Sequence, residues 1–303
     1  MKAGTLLRHQ QRWGWAFLAP WIFGFLVFTA VPMAASIIFS FTDYTLTKPG
    51  EIEFIGLENY QQLTTDPRVD DALWATLKFS MIALPLSVIL PLGLASLLNS
   101  KDLFGQKIFR TLFYMPYMIP VVSGVYIWAG VLNPETGWIN RFMELFGITG
   151  PDWLNSTTWI YPALNVIGVW GIGNAMLYTL ASMQGVPTEL YEAARVDGAG
   201  KVGTFRHITI PMISPVIFYN LVLSVIGLFK YFDIPFILKK GSGDPAGTTM
   251  FFNLHLYKTA FLYQEMGYAS TLAWLLFGMA FAATVLLFVT ARYWVYYASG
   301  ENF

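Results

Sequence analysis

The stretch VPTELYEAARVDGAGKVGTFRHITIPMISP, residues 186–215, is a polar run set between two apolar segments of membrane length. Pro187 fixes φ, Thr188 is a capping residue type, and Glu189 lies where the dipole of a first helical turn favours negative charge. A helix capped by Thr188 is therefore expected to start here. Leu190, Ala193 and Ala194 recur at helical spacing, with Val196 beside them. Gly198 suits the position just past a helix end, where φ is positive, and Gly200 loosens the chain beyond it. A second short amphipathic piece with Val202, Phe205 and Ile208 is expected next, and Pro211 and Pro215 fall in the first turns of the following apolar segment. The pattern is thus a short helix, a glycine turn and a second helix feeding a membrane span. Small alanines beside the turn leave room for another backbone to approach, although an ordinary helical loop would have the same shape.

Composition places this stretch in a membrane protein. The 303 residues are 55% hydrophobic and 17% aromatic, and only 12% are charged, against roughly 25% charged in a soluble domain. The net charge of zero and the lack of a basic patch give no reason to expect nucleic acid. With no cysteine in the chain, disulfides, thiolate metal sites and cysteine nucleophiles are excluded. His9, His207 and His255 are scattered, and no H-E-x-x-H is present. The apolar run from Trp13 to Ser40 exceeds the roughly 7–15 residues of a signal-peptide core and is expected to stay as a membrane helix.

Five more spans are expected, over Ala72–Leu98, Thr111–Val131 (with Pro116 and Pro120 inside), Trp159–Met183, Pro211–Phe229 and Tyr268–Trp294. The chain then divides into residues 1–71, comprising an N-terminal segment, the first span and an acidic outer loop with Pro49-Gly50; a transmembrane core over 72–294, with its polar stretch at 187–211; and a short tail over 295–303. An even number of spans puts both ends on one side. That side holds ten bases (Lys2, Arg8, Arg12, Lys101, Lys107, Arg110, Arg195, Lys201, Arg206 and Arg292) against six on the other (Lys48, Arg68, Arg141, Lys239, Lys240 and Lys258). The positive-inside rule then orients both termini, and the opening stretch, to the cytoplasm. Aromatic residues cluster at span ends as an interfacial belt: Trp13 with Trp15, Tyr114 with Tyr117, Trp153 with Trp159, and Trp294 with Tyr296 and Tyr297.

The spans carry no Asp or Glu near their middles. That argues against an ion-coupled carrier working by proton relay. Lys78 and Lys230 sit near span ends, where long stems snorkel; Lys230 could also pair with Asp233 if the helix continued. Uncharged polar groups do occur mid-span. Asn165 and Asn174 flank Trp170, Gly171 and Gly173, and Ser224 lies in the fifth span. Amide, indole face and glycine suit a neutral polyhydroxy solute, and they equally suit packing between helices. Gly198-Ala199-Gly200-Lys201 lacks the spacing G-x-x-x-x-G-K-[ST] of a phosphate loop. No nucleophile, metal cluster or acid pair suggests an enzyme, and any ATP must be bound by another chain.

Glu192-Ala193-Ala194, then Gly198, then Ile208-Thr209-Ile210-Pro211 resembles the EAA motif of permease subunits in binding-protein-dependent ABC importers of the type-1 class. Ile210 stands where Leu is usual. RTLFYMPYMIP (110–120), WLN (153–155) and FDIPFIL from Phe232, followed by GDPAGTT, extend the resemblance over nearly the whole chain. It is nearest to the carbohydrate-uptake branch that includes the maltose-permease-F and lactose-permease-F proteins. The resemblance implies an all-α integral membrane fold of six transmembrane helices in the inner cell membrane of a prokaryote. It implies two separate ATPase subunits that bind ATP and magnesium, a second and non-identical permease subunit, and an extracytoplasmic solute-binding protein. Glu192, Ala193, Ala194, Asp197, Gly198, Ile208 and Pro211 would then form the coupling element that docks on the ATPase. The span before it would help line a sugar path, through Trp170, Gly171 and Asn174, with Ser224 from the next span. This chain itself would hold no cofactor. Glycerol-3-phosphate or another polar solute is the alternative cargo.

Overall fold

The structure, a computed structural model, describes residues 3–48, 50–100 and 103–297, with side chains from residue 11 onward. Lys2, the Arg8 side chain, Pro49, Lys101 and the tail beyond residue 297, all invoked above, lie outside the described residues. Among those residues the chain is helical except for turns and one isolated bridge between Thr42 and Phe54.

Four helical stretches are long and apolar enough to cross a membrane: Gln11–Phe39, Pro67–Leu98, Met266–Ala291 and Lys201–Lys239, the last interrupted after Phe229. Two bent pairs bring the number to six if each pair is one span. The third expected span is broken. Gln106–Met118 and Val121–Val131 meet at 104°, because Ile119 is extended (ψ 130°) and Pro120 has ψ 135°. A residue before proline is pushed out of the α region, so Ile119-Pro120 cannot carry the helix through. The fourth span bends by 54° between Ile160–Trp170 and Gly173–Gln184.

The expected second helix around Val202 and Phe205 runs directly into the fifth span. Lys201–Thr204, a π-turn over Phe205–Thr209 and Ile210–Phe229 run on without a break. Pro211 lacks an N–H, and its ring would press on the carbonyl four residues back; the wider turn relieves that contact and lets the helix continue. The same device, a π-turn over Leu26–Ala30, precedes Pro32 in the first helix. The helix does stop at Phe229. Lys230 therefore caps one helix and Asp233 opens the next; the ion pair seen lies elsewhere, between Lys48 and Glu51.

The chain forms two compact units. In Met1–Asp66 with Leu256–Leu275, buried Asn59 donates its amide to the carbonyls of Ser40 (3.0 Å) and Thr42 (2.8 Å), fixing the turn after the first helix. The Trp274 indole donates to Ser36 Oγ at 3.2 Å. Gly267 lies so close to the Thr42 carbonyl that a Cβ there would collide with it.

In Pro67–His255 with Leu276–Phe303, the core is built from small and branched residues on facing helices. Ala95, Leu98, Met176, Leu180, Met183, Val186 and Ile213 form one buried cluster, and Phe79, Ile160, Leu164 and Phe251 anchor another. Elsewhere large apolar side chains point outward, among them Trp15, Phe17, Trp21 and Phe28 on the first helix. Such a surface is unstable in water and ordinary in lipid, where helices bond their own backbone and need only apolar contact outside.

Candidate functional site

The polar stretch forms a helix over Thr188–Val196. Pro187, not Thr188, is the N-cap residue (φ −55°, ψ 131°), and no side chain caps the helix. Glu189 in the first turn and Arg195 in the last both complement the helix dipole. The C-terminal end is closed by a Schellman turn. The Ala199 N–H donates to the Ala194 carbonyl at 2.9 Å, and the Gly198 N–H donates to the Arg195 carbonyl at 3.1 Å. That turn requires the left-handed region at Gly198, whose φ is +75°. Asp197 is the C-cap residue.

One face of this short helix is seated on the bundle. Ala194 is buried, Tyr191 and Ile208 pack against the cluster of Leu98, Met176 and Met183, and the hydroxyls of Tyr191 and Thr209 are 3.1 Å apart. The other face is free. Val196 is 88% exposed and Val202 82% exposed on either side of the turn, with Glu192, Ala193, Asp197 and Gly198 also exposed. The residues expected to act together therefore divide. Glu192, Ala193, Asp197 and Gly198 present a surface, whereas Ala194 and Ile208 hold it to the protein, and Pro211 lies within the long helix behind it.

Beside the helix lies a polar groove of about 760 Å³ lined by Asn99, Gln106, Arg110, Gln184, Thr188, Glu192 and Arg195. The Arg110 Nε is buried and has no hydrogen-bond partner among the described residues. Sequence reasoning counted Arg110 only as a cytoplasmic base. Its place at the head of the RTLFYMPYMIP run was the available signal.

A second cavity, of about 170 Å³, lies between the spans. Ser87, Asn165, Ser224 and Tyr231 supply its polar groups, Gly168 and Gly227 leave it room, and Phe79 and Leu164 wall it. No lining residue is charged. Asn165 donates to the Tyr161 carbonyl at 2.8 Å, and Ser87 to the Leu84 carbonyl at 2.8 Å, so their remaining capacity is chiefly as acceptors. The Tyr231 hydroxyl is buried with no partner among the described residues, while its ring stacks on Phe79 at 4.6 Å. A buried hydroxyl left without a partner costs about 1–3 kcal/mol, so this one can bond a water or a solute in the cavity.

Of the four expected path residues, only Ser224 lines this cavity. Trp170 packs edge-on against Trp128 (5.8 Å, 79°), and a Cβ on Gly124 would touch its ring at 3.4 Å. Asn174 donates to the Tyr178 hydroxyl at 3.3 Å. Gly171 lies in the bend, and the close approach occurs at Gly173, where a Cβ would strike the Phe113 carbonyl. Ser87 and Tyr231 were missed, since a serine in a span ordinarily back-bonds and Tyr231 reads as the start of a loop.

The family model described as "Binding-protein-dependent transport system inner membrane component" matches residues 80–299. The chain is 37% identical over 309 residues to the "Probable ABC transporter permease protein YesP" of Bacillus subtilis (strain 168), covering 100% of this chain and 97% of that one. It is 34% identical to the "Arabinooligosaccharides transport system permease protein AraP" of the same organism, over 84% of this chain and 81% of the other. Its fold is similar to that in the "Crystal structure of a bacterial ABC transporter involved in the import of the acidic polysaccharide alginate", with a TM-score of 0.82, 22% identity, and coverage of 95% of this chain and 98% of that one.

Proposed function

The chain belongs to the family of binding-protein-dependent transport system inner membrane components, and on that premise we propose that it moves a sugar or oligosaccharide inward through an ATP-driven importer. It is a multi-pass permease of the inner membrane, working with ATPase subunits and an extracytoplasmic binding protein. Two ATPases and a second, non-identical permease complete the assembly, with both termini of this chain in the cytoplasm. Family membership sets aside the ion-coupled carrier.

The observation that carries the coupling role is the Schellman-closed helix with Val196 and Val202 left bare on either side of Gly198. An exposed apolar pair on a rigid, backbone-bonded turn suits insertion into a groove on another protein, and small Ala193 lets the backbones come close. Tyr191 and Ile208 tie the same turn to the cluster that joins three spans. A push on the turn is thereby transmitted to the bundle and is not absorbed by a loose loop. Glu192, at the edge of the groove that holds Arg110 and Arg195, supplies the charged contact.

The cargo reading rests on the carbohydrate names of the relatives and on the chemistry of the cavity. Neutral amide and hydroxyl groups beside aromatic rings match a polyhydroxy solute. A phosphorylated cargo such as glycerol-3-phosphate would call for Arg or Lys among the lining residues, and none is there. Ser224 thus stays in the path, joined by Ser87, Asn165 and Tyr231, while Trp170, Gly171 and Asn174 shape the bent span that forms one wall. The test is co-expression with the ATPase partner. Glu192→Lys, or a bulky residue at Gly198, should leave the chain in the membrane and lose both ATPase co-purification and sugar uptake. Unchanged co-purification and uptake in these variants would overturn the assignment.

A further inference from the structure

A groove of about 490 Å³ lies at the C-terminal end of the last long helix. Phe218 forms one wall, Phe281, Val285, Phe288 and Val289 the other, and Arg292 closes one end. Neither the coupling surface nor the solute cavity uses it. We propose that this groove is a binding site for an anionic phospholipid, one acyl chain lying along the phenylalanines and the phosphate resting on Arg292.

Three observations point to that occupant. The walls are apolar and open outward: Phe281 is 60% exposed and Phe288 52%, and in a spanning helix such surface faces hydrocarbon. Next, the cation at the end is held in place by its neighbour and not by a carboxylate of the described residues. The Arg292 guanidinium lies 4.7 Å from the Tyr293 ring centroid and donates to the Tyr293 hydroxyl at 2.5 Å. Among the described residues no carboxylate forms an ion pair with it. A planar cation with free N–H groups is matched by a phosphate. Lastly, depth is right. The helix ends at Ala291, and Trp294, Tyr296 and Tyr297 follow at once, as an interfacial belt does, so Arg292 sits at headgroup level.

The groove is also preformed. The Tyr296 N–H donates to Ser214 Oγ at 2.8 Å, and Phe218 meets Phe288 (5.0 Å, 89°) and Trp294 (5.8 Å, 70°) edge-on. These contacts fix the turn after the last helix against the helix that carries the coupling element, so a bound lipid would brace that junction.

The test uses the assembled complex, purified in detergent, stripped of lipid and titrated with phosphatidylglycerol or phosphatidylcholine, with bound lipid counted by native mass spectrometry. Phosphatidylglycerol should be retained in preference to phosphatidylcholine. Arg292→Gln should weaken it about fivefold, the effect of one base near a membrane surface, and Val285→Trp should block it by filling the groove. Soluble glycerol phosphate should not compete, because it lacks the chain. Equal retention of the two lipids, or unchanged retention in Arg292→Gln, would overturn the site. So would competition by glycerol phosphate alone. The chain has no cysteine, so Val285→Cys can carry a single benzophenone. Photolysis should add the mass of a phospholipid, and a cross-link to another subunit would show that protein fills the groove and refute the proposal.

Discussion

Gly198 offers a measurement in which backbone strain can be separated from contact. Its φ is +75°, and a Cβ built there meets nothing within 4 Å. Substitution by Ala therefore adds no collision inside this chain and leaves only the cost of placing an L-residue in the left-handed region, about 1–2 kcal/mol. That corresponds to a factor of roughly 5–30 in the ratio of capped to uncapped turn. Asn enters the region more readily and should cost less, whereas β-branched Val should cost more. The expected order of coupling is Gly, Asn, Ala, Val. The assay is ATP hydrolysis and sugar uptake by the reconstituted complex, stimulated by loaded binding protein, with detergent melting temperature as the control for global folding. Because the turn is exposed, melting should move little while coupling falls. If Asn and Val damage coupling equally, room for the partner matters and strain does not. If Val behaves like Gly, the turn is not the joint.

Four further expectations can be checked on the same preparation. Gly173→Ala should destabilise the chain by about 1–3 kcal/mol, since its Cβ would fall 2.7 Å from the Tyr114 Cα, and backbone cannot yield as a side chain does; Gly171→Ala, with 3.7 Å to its nearest neighbour, should be silent in the same melting assay. A double-mutant cycle of Tyr191→Phe and Thr209→Val should show a coupling energy of about 0.5–1.5 kcal/mol; a value of zero would mean that the 3.1 Å hydroxyl pair does not tie the coupling helix down. Ser224→Ala and Tyr231→Phe should raise the KM for uptake by up to about tenfold, the worth of one neutral hydrogen bond, with the complex still assembled; normal uptake in both would remove the cavity from the path. Trp170→Ala should lower the melting temperature, with a stability loss of up to roughly 3 kcal/mol, and a pure KM effect with unchanged melting would return Trp170 to the solute path.

Much of the helix and turn over 188–198 was legible because its signals are local. Gly198 needs a positive φ for a reason contained in the four or five residues before it, and a dipole preference reads directly from Glu189 and Arg195. The long apolar runs are equally plain, since lipid demands uninterrupted apolar length. Thr188 misled because its residue type is a good cap, while the neighbouring Pro187 already holds the extended geometry that an N-cap requires. The broken third span was half visible: Pro116 and Pro120 were noted, yet a proline inside a helix can kink it, widen it or end it, and only the surroundings decide which. At Pro211 and Pro32 a π-turn keeps the helix going, and at Pro120 it ends.

The residues around the cavity between the spans were the least legible, for a geometric reason. Ser87, Asn165, Ser224 and Tyr231 come from three separated segments. Whether a polar group in a span faces a neighbour, a cavity or lipid depends on how each helix is rotated and where it bends. Asn165 and Asn174 look alike in the sequence, but the bend after Trp170 turns one toward the cavity and leaves the other bonded to Tyr178. By itself, then, the sequence determined membrane residence, the approximate spans, the glycine turn at Gly198 and the family, because each depends on composition or on contacts within a few residues. The tertiary structure alone decided which prolines break a span, which of Glu192, Ala193, Ala194 and Ile208 face outward, and which polar groups share a cavity. Those outcomes depend on packing between segments far apart in the chain, and no local pattern encodes it.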